Sequence, residues 1–109
     1  MAKPVGERRR LRRIMKRIPA AFESASIRSR GHIKNVTKNG LFVRADQLPQ
    51  PNERVRVVFH DRNGSKVEVR GEVRWTTDQM PKASKAGFGM VIESPTPEFL
   101  EFFEQILLG

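Results

Sequence analysis

Between Val67 and Thr76 the chain alternates without interruption. Val67, Val69, Gly71, Val73 and Trp75 fall on one side of an extended backbone, and Glu68, Arg70, Glu72, Arg74 and Thr76 fall on the other. A period of two over this length fits a strand with one face in a core and one in water. Immediately before it, Val55, Val57 and Phe59 alternate with Arg54, Arg56 and His60, and Asp61, Asn63 and Gly64 between the runs suit a tight turn. The two runs are therefore expected to form an antiparallel hairpin. Further short strands are expected at Phe22–Arg28, at His32–Val36 after an Arg30–Gly31 turn, at Leu41–Ala45 and at Gly87–Ile92. Pro49 and Pro51 make residues 47–53 a loop, and Pro81 does the same for residues 78–86. Thr96-Pro97-Glu98 supplies a capping hydroxyl, a proline for the first helical position and an early acid. The run that follows places Phe99, Phe102, Phe103, Ile106 and Leu107 on one stripe of a helix, suited to packing against the sheet.

A sheet of six short strands in 109 residues leaves edges exposed unless it closes. The expected fold is mainly β: a six-stranded antiparallel barrel with a C-terminal α-helix and a flexible basic N-terminal arm. Residues 1–7 read as a leader and 8–109 as a single domain, with the arm at 8–17, the barrel at 20–92 and the helix at 96–108.

The absence of cysteine excludes disulfides and thiolate metal sites. His32 and His60 are too few and too scattered for a metal centre, and no nucleophile and base stand together, so neither a cofactor nor an enzyme is expected. No apolar stretch approaches the roughly 20 residues that cross a bilayer. With no signal-like start, the expected location is the cytoplasm. The formal charge of +9 is concentrated: residues 1–17 hold Lys3, Arg8, Arg9, Arg10, Arg12, Arg13, Lys16 and Arg17 against Glu7 alone. The expected partner is anionic and meets this arm.

Arg9 and Arg13, four residues apart, can present guanidinium groups to one ligand whether the arm is extended or helical. Arginine pairs bidentately with phosphate oxygens or with the O6/N7 edge of guanine, and its plane stacks on bases. Asn35-Val36-Thr37-Lys38-Asn39-Gly40 lies between two expected strands. Its Asn and Thr can hydrogen-bond to nearby backbone, and Gly40 is free to take positive φ or to let a ligand approach closely. Alone, each element reads more readily as a solvated basic tail or a plain turn than as a binding site.

Together they resemble the PilZ domain family, whose signature is an Arg-x-x-x-Arg arm followed by an Asp/Asn-x-Ser/Thr-x-x-Gly turn, here Arg9…Arg13 and Asn35…Thr37…Gly40. Arg13-Ile-Met-Lys-Arg-Ile-Pro-Ala-Ala-Phe22, Gly40-Leu-Phe-Val43, Gly71-Glu-Val-Arg-Trp75, Gly87-Phe-Gly-Met-Val91 and the closing helix extend the resemblance over residues 7–108. It implies a non-catalytic receptor for cyclic di-GMP. Arg9 and Arg13 would grip phosphate and guanine, Arg8 and Arg10 would assist, and Asn35, Thr37 and Gly40 would receive the other guanine. Asn35 stands where the family commonly has an acid. Arg13…Arg17 satisfies the same spacing, but the proline and phenylalanine after Arg13 lie at family-like distances and favour Arg9…Arg13. Trp75 could border the site, but its place on the inward face of a strand favours the core.

A receptor of one domain also implies a downstream protein partner, told of ligand by a change of surface. The surplus of arginines over the two phosphates of one cyclic dinucleotide leads to the expectation of a stacked ligand pair. The rival reading is a small basic barrel that binds RNA or single-stranded DNA. The lack of tyrosine and the single tryptophan weigh against it, since such barrels use exposed aromatic platforms.

Overall fold

The computed structural model describes residues 14–77 and 86–108. Six strands, β1 (Ile14–Ser24), β2 (Arg28–Thr37), β3 (Gly40–Arg44), β4 (Arg54–His60), β5 (Lys66–Thr76) and β6 (Gly87–Ile92), precede one helix, α1 (Pro97–Leu108). They form a closed barrel in the order β1-β2-β3-β6-β5-β4, with every neighbouring pair antiparallel. The leader, the expected arm through Arg13 and most of the loop after Thr77 lie outside the described residues.

The β4–β5 hairpin forms as its alternation predicts. Asp61 Oδ1 accepts from the Asn63 and Ser65 amides at 2.9 Å, and Gly64 takes φ 84° after its N–H donates to the Asp61 carbonyl. The first half of the barrel differs from expectation. The chain turns at Ser24–Ile27, where the Ser24 amide donates to the Ile27 carbonyl at 2.8 Å and Ser24 Oγ accepts from the Ser26 and Ile27 amides at 3.3 Å. Arg30 and Gly31, read as a turn, are mid-strand residues of β2. A Cβ on Gly31 would run into the Arg44 carbonyl oxygen, so this glycine marks a close approach of β2 and β3 rather than a reversal. β1 begins at Ile14, so residues 14–17 belong to a strand and not to the arm.

Inward side chains from every strand, among them Ile33, Val43, Val57, Val69, Val73 and Phe88, make one core. Each such side chain contributes about 1.5–3 kcal/mol on burial. Helix α1 buries Phe99, Phe102, Phe103 and Ile106, with the Phe102 ring edge-on to Phe59 at 4.8 Å. Its start is pinned by Thr96, whose Oγ1 accepts from the Phe99 amide and donates to the Glu68 carbonyl of β5, both at 3.2 Å.

Three register shifts break the simple alternation, one in β1 between Met15 and Ile18 and two that shape the face of β2, β3, β6 and β5. In β2, Ile33 faces Val43 but Asn35 faces Phe42, leaving Lys34 as an extra residue; in β5, Val73 faces Met90 but Trp75 faces Gly89, leaving Arg74 extra. Each extra residue reverses the side that follows it. Val73 and Thr76 are both buried, and Trp75, expected in the core, is turned outward with 38% of its surface exposed.

Gly71 sits where β5 crosses β6, and a Cβ there would meet the Val91 carbonyl oxygen, with Met90 Cε at 2.9 Å. Gly71→Ala is expected to lower unfolding stability by about 1–3 kcal/mol. Denaturant titration checks this, with the midpoint falling and the slope unchanged.

Candidate functional site

One register row runs across the outside of the barrel. Asn35 of β2 faces Phe42 of β3, Phe42 faces Gly89 of β6, and Gly89 faces Trp75 of β5. The two bulges bring Asn35 and Trp75 onto this row. Phe42 and Trp75 stack with ring centroids 5.2 Å apart and planes within 14°. They can do so because the residue between them has no side chain: a Cβ on Gly89 would occupy the space of the indole. The result is a flat apolar ledge on a polar surface.

This ledge lines an open cavity of about 530 Å³, together with Asn35, Thr37, Asn39, Gly40 and Arg74. That volume lies within the range of small-molecule sites. Asn35 Oδ1 is buried and has no hydrogen-bond partner among the described residues. An unpaired buried acceptor costs on the order of 1–3 kcal/mol, so a ligand donor placed there is favoured. Thr37 Oγ1 donates to the Gly40 carbonyl at 3.4 Å, and the Ile92 amide donates to the Asn39 carbonyl at 2.8 Å, tying the tip of the β2–β3 turn to β6. Gly40 does not take positive φ. It is glycine because β3 lies against β6 there, with the Met90 carbonyl oxygen 2.7 Å from where a Cβ would stand. Arg74 Nη1 donates to Glu72 Oε1 at 3.3 Å. Among the described lining residues no carboxylate faces the cavity.

Of the residues singled out from the sequence, Asn35, Thr37 and Gly40 are thus brought together at one cavity. Arg8, Arg9, Arg10 and Arg13 lie outside the described residues. The chain enters β1 at Ile14, paired with Val36 next to Thr37, so residue 13 is one peptide away from this pair. Arg17 stands instead on β1 in a separate depression with Asp61, Phe102 and Gln105. Phe42, Arg74, Trp75 and Gly89 were not assigned to a site by sequence reasoning. The pairing of Gly89 with an outward Trp75 follows only from the bulge at Arg74, and a single extra residue leaves no period of its own.

The family model described as the PilZ domain matches residues 7–109. No curated protein sequence matches the chain. Among solved structures, the Bacillus subtilis inhibitor of motility superposes with a TM-score of 0.72 at 17% identity over 88% of this chain. The match takes in 48% of that protein, so the present chain spans about half its length. The PilZ domain of CeSA from a cellulose-synthesizing bacterium superposes with a TM-score of 0.62 at 13% identity, covering 87% of this chain and 94% of that one. At these identities the likeness establishes the barrel and its closing helix.

Trp75 is the only tryptophan in the chain, so its emission reports on the ledge. Gly89→Ala is expected to displace the indole from Phe42, changing the emission maximum and the near-ultraviolet dichroism while the far-ultraviolet strand signal persists. Unchanged emission would show that Gly89 does not hold the stack.

Proposed function

This chain belongs to the PilZ domain family, and from that membership we propose that it is a cytoplasmic receptor for cyclic di-GMP, with one guanine seated on the Phe42–Trp75 ledge. The family is known as a cyclic di-GMP receptor domain, a binding and effector module rather than an enzyme. Among the described residues no group of three or more His, Cys, Asp or Glu could hold a metal ion. No helix among them is long and apolar enough to cross a membrane.

The observation that carries the proposal is the unpartnered Asn35 Oδ1 beside a stacked aromatic pair. A guanine lying on the ledge presents its ring N–H and amino donors at one edge, complementing a buried acceptor, while its face stacks at about 1–3 kcal/mol per base. One amide oxygen suffices for one such donor, so asparagine can stand where the family commonly has an acid. The arm supplies the rest: Arg9 and Arg13 take phosphate and the second guanine, and Arg8 and Arg10 assist, with room for a stacked ligand pair. The entry of the chain beside Val36 supports this placement, because an arm anchored there starts at the rim of the cavity. Folding of the arm over the ligand would replace a cationic tail by an ordered, nearly neutral surface, which a downstream protein partner can distinguish.

Calorimetric titration of the full chain with cyclic di-GMP, with GTP and single-stranded RNA as competitors at two salt concentrations, tests the reading. Saturable binding with quenching of Trp75 is expected, at a ratio of two ligands per chain if the pair forms. Arg13→Ala should weaken it roughly 10- to 150-fold, the range for a charged hydrogen bond, with little change in thermal unfolding. Asn35→Ala should weaken it about 5- to 150-fold. No heat with cyclic di-GMP, or equal and steeply salt-dependent competition by RNA, would overturn it.

A further inference from the structure

The outer faces of β2, β1 and β4 carry an ion-pair ladder that stops abruptly. In one register row, Arg28, Glu23 and Arg56 lie side by side, and Glu23 Oε1 is 3.4 Å from Arg28 Nε and 3.6 Å from Arg56 Nη2. The ladder continues to β5, where Glu68 meets Arg56 and Arg70 at 3.1 Å; the hydrogen bond from Arg70, then the Arg56 charge, hold its carboxyl below the usual range. Two residues along β1 the acid is missing. Arg30 faces Ala21, which faces Val58, and beyond them Arg44 faces His32, which faces Pro19. Small apolar side chains now occupy the positions where Glu23 balanced its neighbours.

The consequence is an open groove of about 700 Å³, floored by Pro19 and Ala21 and rimmed by Arg30, His32 and Arg44 on one side and His60 on the other. Asp46 is the one carboxylate on it among the described residues. Arg28, Arg54, Arg56, Arg70 and Arg74 each have a glutamate partner. Among the described residues, Arg30, His32, Arg44 and His60 make no side-chain hydrogen bond or ion pair, and Arg44 Nε is buried without one. The close approach at Gly31 fixes the Arg44 backbone directly beside β2, so this guanidinium is held against the groove by the fold. The groove shares no lining residue with the Asn35–Gly40 cavity.

We propose that this groove is a second anion site, distinct from the cyclic dinucleotide site, and that its ligand is a phosphate monoester. Two guanidinium forks and two imidazoles supply more donors than one carboxylate can accept, whereas a phosphate has three free oxygens. The body attached to the phosphate would lie along Pro19, Ala21 and Val58. That body is either a small molecule or a phosphorylated side chain of a partner protein; the chemistry recognised is the same.

Nitrogen-detected NMR of the full chain resolves the site by residue. Titration with inorganic phosphate, with free phosphoserine and with a phosphoserine peptide, chloride holding ionic strength constant, should shift Arg44 Nε and the His32 ring together along one saturating curve. His32→Gln and Arg44→Lys should each weaken binding at least fivefold. The first removes a ring donor, and the second keeps the charge but loses the fork, with folding of both checked by far-ultraviolet dichroism. Asn35→Ala should leave the curve unchanged. Tighter binding of the peptide than of phosphoserine assigns the ligand to a partner, and equal binding assigns it to a small ester. Shifts linear in concentration, or equal shifts at Arg54 and Arg70, would overturn the site as general ionic attraction.

Discussion

The pairing of β1 with β4 is the contact on which the structure depends. Without it the six strands would be an open sheet with two unpaired edges. With it, backbone donors and acceptors along Ala20–Ser24 and Val55–Phe59 are satisfied internally and the row of valines and phenylalanines on the inner face is sealed. Closure also fixes curvature, and curvature requires bulges and residues without side chains where strands press together. Gly31, Gly40, Gly71 and Gly89 all stand at such contacts, each with a carbonyl or an aromatic ring where its Cβ would be. The candidate site is a by-product of the same demand, since the bulges at Lys34 and Arg74 bend β2 and β5 and also turn Asn35 and Trp75 to one row.

This explains which parts were legible in the sequence. The β4–β5 hairpin could be read from Val55 to Val73, because alternation is the direct imprint of a half-buried strand and Asp61 and Gly64 carry their own turn chemistry. The helix was equally plain, since Thr96, Pro97 and the phenylalanine stripe are local signals. The error at Trp75 came from extending a perfect alternation through a bulge: Arg74 is the extra residue, and nothing in its chemistry distinguishes it from Arg70 two rows earlier. The misplaced turn at Arg30–Gly31 has a similar cause. A glycine beside a charged residue reads as a reversal, whereas here it permits contact with Arg44 on the next strand. The serines of the actual corner, Ser24 and Ser26, work through side-chain to backbone bonds that a strand pattern does not reveal.

Charge on the barrel is organised by strand. The arginines of β4 and β5 each have a glutamate partner, Arg54 at Glu93, Arg56 and Arg70 at Glu68 and Arg74 at Glu72, and pairs of this kind, exposed to water, add about 0–1 kcal/mol each. Their larger effect is to engage the arginines of those strands, whereas among the described residues Arg30 of β2 and Arg44 of β3 have no acidic partner. Both the cavity at Asn35 and the groove at Arg44 open onto that side, along the same two strands. A ligand at either place meets a surface from which competing carboxylates have largely been removed.

The Ile14–Val36 pair has a kinetic meaning as well as a structural one. Because the strand begins there, any group on residues 9–13 is tethered to the rim of the Asn35 cavity by at most five peptide units, a reach of about 17 Å. Its encounter with a ligand already resting on the ledge is intramolecular, at an effective concentration in the millimolar range for a tether so short. In the proposed receptor the order of events is thereby biased, with the barrel face capturing the molecule first and the tethered guanidinium groups setting how long it stays. In that receptor, lengthening the chain between residues 13 and 14 would dilute the second step alone.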